Sequence, residues 1–437
     1  MIRILKTDDR KTLKAAVGMM LGVSILLTAC GEETNIVVPS SIGWDGTHEN
    51  EFLSAIADGE FADAHNVGET QPDKLTIDDS QPDKLQTDEP QSKEADQESV
   101  TLQESEPIPE TEPIPDPDIP EEIRITITAA GDVTMGNHME QGYDATFRQT
   151  YDNAEDKSYF FENVADIFRE DDLTIVNLEG VLTFSEEHEE GRTYNIKGDP
   201  EYAYLLSDAS IEAVSMGNNH RLDYGEEGSR DTVAALEEAG VAWAYDSYTG
   251  IYESQGIKIG WVSVNEASQG QYVENLLKKG IAKLKEEGAQ LILACCHWGT
   301  EREYYPEDYQ KELGRKCIDW GADLVIGHHP HVLQGIDQYQ GKYIVYSLGN
   351  FCFGANRNPS DKDTMIFQQT FVFRQGDAQA QPGEARIIPC RVSSVTSRND
   401  FKPTPLTGEE GQRVIDRVNK FSLEFGVAAD EQGILTY

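Results

Sequence analysis

Six short polar clusters in this chain carry groups that bind metals or move protons. They are Gly131-Asp132, Asn177-Leu178-Glu179-Gly180, Gly217-Asn218-Asn219-His220, His297-Trp298-Gly299, Gly327-His328-His329-Pro330-His331 and Ser347-Leu348-Gly349-Asn350-Phe351. Asp, Glu and Asn supply oxygen ligands and His supplies imidazole nitrogen, a donor set that suits Mn²⁺, Zn²⁺, Fe or Mg²⁺. One or two such ions fit these residues. A pair bridged by a carboxylate can activate a water and stabilise a leaving oxygen. Glycines beside the ligands let the backbone turn tightly.

Each residue also has a plainer reading. His220 alone would be a hydrogen-bonded turn residue, but inside Gly-Asn-Asn-His-x-x-Asp-Tyr-Gly the site reading outweighs it. His297 directly follows an apolar run, where an imidazole without a partner is costly to bury, so it is assigned to the site. His329 and His331 straddle a proline that fixes the backbone, which suits ligand presentation. Asp223 reads first as the cap of a helix starting near Gly225, with a site role second. Glu301 either contacts the site or is a surface carboxylate, the safer default. His138 is evenly balanced, and His48, His65 and His188 sit in polar surroundings. Trp298 and Phe351 suit packing or a pocket wall.

The elements that must position these groups are legible from periodicity. Ile123, Ile125 and Ile127 alternate with Arg124, Thr126 and Thr128, a strand signal. Leu173 to Leu178, Ala213 to Met216, Ile257 to Val264, Leu291 to Cys296, Leu324 to Ile326 and Tyr343 to Tyr346 are further strands. Gly225 to Ala239, Tyr272 to Glu287 and Tyr309 to Trp320 have helical spacing. Met365 to Val395 reads as β, and Gly408 to Phe425 as a terminal helix. The alternation predicts an α/β fold with a buried central sheet. Each polar cluster follows a strand, and carboxyl ends of strands form the ligand crevice of such sheets. The clusters should therefore converge on one edge.

Bulk properties exclude some functions. The 437 residues carry a formal net charge of −43. A nucleic-acid binder needs a basic surface, so that class is disfavoured, as is electrostatic docking on anionic lipid. A more specific membrane contact is expected from the start of the chain. Arg3, Lys6, Arg10, Lys11 and Lys14 precede an apolar run from Ala15 to Leu27, which is short for a bilayer span. Leu27-Thr28-Ala29-Cys30 then resembles a bacterial lipobox, cut before Cys30 and lipidated there. An uncleaved anchor helix is the second reading. Both place the body on the extracytoplasmic face of the cell membrane, and acyl chains contribute roughly 0.8 kcal/mol per buried methylene. The remaining cysteines, Cys295, Cys296, Cys317, Cys352 and Cys390, are odd in number and cannot all pair. No disulfide framework is expected.

Residues 31–122 hold 26 acidic residues against three lysines. Gln71-Pro72-Asp73-Lys74-Leu75 recurs at Gln81 to Leu85, and prolines crowd Pro107 to Pro120. Such a chain cannot bury enough apolar area to offset its ordering entropy, so a disordered, extended tether is expected. A short helix over Glu49 to Phe61 is weakly indicated. The body begins at Ile123, its site clusters end by residue 355, and residues 356–437 carry no readable motif.

Taken in order, the six clusters resemble the bacterial CapA family of capsule and poly-gamma-glutamate synthesis, over about residues 123–355. That family lies in the calcineurin-like metallophosphoesterase superfamily. The resemblance implies a metallophosphoesterase-like layered sandwich, with central mixed sheets flanked by helices. It also implies metal ligands: Asp132 as the first aspartate, Glu179 as the bridging carboxylate with Asn177 as alternative, His297, and His329 with His331. Asn219 and His220 match the Asn-His pair, one a ligand and the other a candidate acid, and His328 is an extra neighbour. Two departures stand out. The usual Asp-x-His is Asp132-Val133-Thr134 here, one ligand short unless His138 replaces it, and the second carboxylate is Glu rather than Asp. The implied function is synthesis, export or anchoring of an anionic polymer beside polymer-synthase subunits. Lys197 and Arg192 are the candidate basic patch for that polymer. A metal-dependent phosphoesterase or other surface hydrolase is the alternative, and a non-catalytic scaffold the third reading.

Overall fold

A computed structural model describes residues 25–29, 32–36, 122–374 and 379–437. In the first part, Ile25–Ala29 pairs antiparallel with Glu32–Ile36. Cys30, the n-region, most of the 31–122 segment with the helix expected over Glu49 to Phe61, and His48 and His65 lie outside the described residues. Among the described residues no helix is long and apolar enough to cross a membrane.

Two sheets build the body. One runs in the order Thr404–Pro405, Gln381–Arg391, Asp363–Arg374, Glu122–Thr134, Leu173–Leu178, Ala213–Ser215, Ala242–Ala244, with Asn350–Phe353 also paired to Glu122–Thr134. The other runs Gly250–Ser254, Ile257–Asn265, Leu291–His297, Leu324–His328, Lys342–Val345, Ile336–Tyr339. In the second sheet the central strands are parallel and both edges antiparallel; in the first, Glu122–Thr134 through Ala242–Ala244 run parallel and the hairpin side is antiparallel. Both faces of a parallel sheet must be covered, which explains the unbroken apolar burial of Leu291–His297 and Leu324–His328.

Ile125, Ile127 and Ala129 share one core with Ile259, Trp261, Val264 and Leu293 of the second sheet. Val273–Glu286 and Asp308–Trp320 pack into the same core through Leu277, Ile281, Leu313 and Cys317. Ala130, Val133, Val176 and Val214 face a second core with Phe147, Phe160, Phe168 and Leu206. Full burial of one such aliphatic or aromatic side chain contributes about 1.5–3 kcal/mol. The result is the expected layered α/β sandwich, with mixed sheets flanked by helices. Cys295, Cys296, Cys317, Cys352 and Cys390 are buried free thiols within these cores.

Most expected elements fall within a residue or two of their predicted bounds. Gly225–Ala239 ends at Gly240, whose φ of 75° supplies the left-handed cap. The first strand is the main correction. Asp132 does not follow it but lies inside Glu122–Thr134. Pairing to Leu173–Leu178 and to Asn350–Phe353 carries the ladder past Gly131. The β stretch expected from Met365 is a long hairpin, Asp363–Arg374 with Gln381–Arg391, added to the edge of the first sheet. The terminal helix Gly408–Ser422 closes the first core with Val414, Ile415, Val418 and Phe421.

Candidate metal centre

The six clusters converge at the carboxyl ends of the parallel strands, between the two sheets. A register shift between Ala129 and Asp132 interrupts the pairing of the first strand. Such a bulge re-aims the side chains beyond it. Val133 then faces the second core, which turns its neighbour Asp132 toward the second sheet and the histidines there. From that sheet His297 and His328 are register partners at the ends of adjacent strands. His329 and His331 both adopt left-handed backbone angles, φ 97° and 56°. For non-glycine residues that is costly and is held only by the surrounding structure. Pro330 O, between them, accepts from the backbone of Arg302 at 2.8 Å.

Two groups of ligand atoms result. Asp132, Glu179 and His331 form one, and Glu179, His297 and His329 the other, with the ligand atoms of each group within 4.8 Å of one another. Glu179 belongs to both. Its Oε1 lies 3.6 Å from His297 Nε2 and 3.7 Å from His331 Nε2. Asn219 stands beside the second group, its Oδ1 2.9 Å from His297 Nε2. Asn177 joins neither as a ligand: it donates to Asp132 Oδ1 at 2.9 Å and is itself held by Asn218 at 3.1 Å. His328 Nδ1 stands 3.2 Å from the same Asp132 oxygen.

Burial sets the electrostatics. Asp132, Glu179 and His297 are at most 1% exposed. Burial pushes the Glu179 carboxyl up to about 7. It lowers His297 well below the usual imidazole range, with His329 adding to the effect, and takes His329 down to about 4. Burial alone would lower His331, but Glu179 and Asp132 outweigh it and raise the imidazole to about 10. Burial would raise Asp132, yet His328 and His331 hold its carboxyl well below the ordinary value. Both Glu179 oxygens and Nδ1 of His329 are buried without a hydrogen-bond partner among the described residues, and Asp132 Oδ2 has His331 Nδ1 at 3.3 Å. Buried polar atoms are normally satisfied. Carboxylates and imidazoles converging with unused lone pairs fit a divalent cation, so these groups could hold a metal.

Beside the centre, His220 Nδ1 lies 2.7 Å from Asp223 Oδ2. Asp223 is fully buried and also accepts from Arg192 and from the Ile196 backbone. It therefore does not cap the following helix, whose N-cap is Tyr224 without a side-chain bond. The charged Arg192 across the loop outcompetes that local role. The expected basic patch is also corrected. Arg192 is taken up by Glu189 and Asp223, and Lys197 by Glu186 and the Ser185 carbonyl. Neither cation is free for a polyanion. His138 does not replace the missing ligand: it sits in neither ligand group and meets the Tyr194 ring edge-on at 5.1 Å. Glu301 is exposed and acts on the centre only through space, as one of the charges that raise Glu179.

Two residues of the site were missed by sequence reasoning. Asn218 braces Asn177 and the Leu178 carbonyl, and Asn350 bonds His331. Both stand in the quoted clusters, so position in a cluster was the available signal.

Comparison with known proteins bears on this centre. The family model for the bacterial capsule synthesis protein PGA_cap matches residues 126–355. The chain is 27% identical over 273 residues to the capsule biosynthesis protein CapA of Bacillus anthracis, covering 57% of this chain and 64% of that one. It is 26% identical over 249 residues to the PGA biosynthesis protein CapA of Bacillus subtilis (strain 168), covering 52% and 63%. A 24% identical match over 210 residues, 41% of this chain and 55% of the other, is the "Probable polyglutamine synthesis accessory protein" of Mycobacterium tuberculosis (strain CDC 1551 / Oshkosh). The chain thus spans a little under two thirds of the length of the two Bacillus relatives and just over half of the third. The matched span contains all six clusters, and the chain belongs to the bacterial capsule synthesis protein family.

Proposed function

We propose that this protein is a membrane-anchored, extracytoplasmic component of anionic-polymer synthesis, export or anchoring, of the poly-gamma-glutamate type, working through a divalent-metal centre. The observation that carries the metal reading is Glu179, shared by two converging ligand groups. The polymer context rests on the family and on what its named relatives do. The anchor rests on the Leu27-Thr28-Ala29-Cys30 signal in the sequence.

Asp132, Glu179 and His331 would hold one ion, and Glu179, Asn219, His297 and His329 the other. A divalent pair, Mn²⁺, Zn²⁺, Fe or Mg²⁺, supplies Lewis acidity and an activated water at such a site. Around it the chain's own residues do the rest. Asp223 accepts the Nδ1 proton of His220, which fixes the ring and leaves Nε2 to hold or give a proton to a leaving oxygen. Arg192 and the Ile196 amide keep Asp223 in place. The surrounding burial excludes water from the carboxylates.

A specific observation keeps the scaffold reading in play. Thr134 stands where the resemblance implies the histidine of Asp-x-His, which leaves the Asp132–Glu179–His331 set at three donors, and its buried hydroxyl has no partner among the described residues.

The test is made in the producing cell. Asp132→Ala should abolish surface polymer at normal protein level, and Cys30→Ala should move the protein out of the membrane fraction. Normal polymer in the Asp132 variant would sink the metal-dependent role. An unchanged fractionation would sink the anchor.

A further inference from the structure

We infer that Asn350 is a positioning residue of the metal centre, holding His331 as its Nδ1–H tautomer so that Nε2 is left free for an ion. The inference rests on the metal reading above and adds a residue and a role to it.

The amide of Asn350 has its orientation fixed by two bonds. Its Nδ2 donates to the His331 carbonyl at 3.3 Å, which turns Oδ1 toward His331 Nδ1 at 2.9 Å. An amide oxygen only accepts, so Nδ1 must carry the proton and donate. The remaining nitrogen, Nε2, faces Glu179 and is the one left for an ion to take in place of a proton. Metal-binding histidines commonly have their other ring nitrogen held this way.

The fold explains why Asn350 is there. Asn350–Phe353 pairs in parallel with the first strand, with Asn350 in register with Asp132. The Asp132 amide donates to the Gly349 carbonyl at 2.9 Å. Asn350 is 4% exposed, so its amide is shielded from water. Asp132 is oriented in parallel fashion. Asn177 and His328 both approach Oδ1, at 2.9 and 3.2 Å, while Oδ2 faces His331, whose Nδ1 is 3.3 Å away and farther than it is from Asn350. His328 touches Asp132 but belongs to neither converging ligand group, so it too acts from outside the coordination shell.

This outer support matters most for the Asp132–Glu179–His331 set. It has three protein donors, while Glu179, Asn219, His297 and His329 make four. With fewer donors, a misdirected imidazole removes a larger share of the binding.

The test loads the full chain with Mn²⁺ and reads bound metal after dialysis, with low-temperature electron paramagnetic resonance to separate coupled from isolated ions. Wild type should hold about two ions with a coupled signal. Asn350→Leu should keep one tight, isolated ion and bind the second roughly 10- to 100-fold more weakly. Asn350→Asp, which still accepts from Nδ1–H, should restore the coupled pair. Asn350→Ser, too short to reach Nδ1, carries the same prediction as Leu should the Leu variant fail to fold. Two tight, coupled ions in the Leu or Ser variant would overturn the inference alone, as would equal loss in the Asp and Leu variants. No ion in wild type would overturn the metal reading and this inference with it.

Discussion

Nδ1 of His220 and Oδ2 of Asp223 stand 2.7 Å apart, and the carboxylate that makes this contact is fully buried and also bound by Arg192 and a backbone amide. A buried carboxylate held on several sides is a rigid anchor for an imidazole. His220→Ala should therefore lower the rate at which the producing cell forms surface polymer, by about 10²- to 10⁴-fold, the usual worth of a positioned acid or base. Asp223→Asn should show a loss in the same range, with bound metal unchanged in both. Full activity in the His220 variant would remove that residue from the chemistry.

Arg192→Ala leaves Asp223 without its cationic partner. Losing a hydrogen bond to a charged group in a buried setting costs about 1.5–3 kcal/mol. Chemical denaturation should show a loss in that range, whereas Lys197→Ala, removing a pair with the exposed Glu186, should cost under about 1 kcal/mol. Equal small effects would mean that the Arg192 contact adds nothing to the fold.

At Gly131 the first strand passes close to the backbone just before Asn350. A Cβ there would stand 1.9 Å from the Gly349 carbonyl oxygen. Backbone cannot yield as a side chain can, so Gly131→Ala should cost more than about 3 kcal/mol. It should also weaken metal binding, because it displaces Asn350 from Asp132. A thermal scan and a metal assay check both. A variant as stable as wild type would contradict the close approach.

Asp171 gives a pH dependence away from the centre. Burial pushes its carboxyl up to about 7 from an ordinary 3.8. Thr128 and Thr174, the latter donating at 2.6 Å, favour the charged form, but burial outweighs both. The folded state therefore binds a proton that the unfolded chain has released. That contribution is fully present below about pH 4 and is lost as pH rises to about 7. Asp171→Asn, always neutral, should be the more stable protein at pH 8, by about 2–4 kcal/mol. Its stability should fall less steeply between pH 4 and 7. Glu212 is also raised by burial, so some slope remains. Identical slopes in the two proteins would contradict this assignment.

The sequence made the scaffold legible wherever a local pattern decides the outcome. Gly225–Ala239 has a helical period and a glycine at its end, and Leu291–His297 is an apolar run that only a covered strand can use. The ligands were legible as residue types behind strands. What stayed hidden was decided by distant partners. Gly131 reads as a turn glycine but serves a close approach to Gly349, more than two hundred residues later. Asp223 looks like a local cap, but Arg192 claims it. Arg192 and Lys197 look like free cations until their carboxylates fold beside them. Asn350 is a neutral amide with no signature of its own, and only strand register brings it to His331.

The central claim is that Glu179 joins two ion sites, and metal content tests it most directly. The full chain, stripped and reloaded with Mn²⁺ or Zn²⁺, is dialysed and its metal measured, beside Glu179→Gln and His297→Ala. Wild type should hold about two ions per chain, lose one with His297, and bind both more weakly when the shared carboxylate is gone. No bound ion in wild type, or two ions retained in Glu179→Gln, would contradict it.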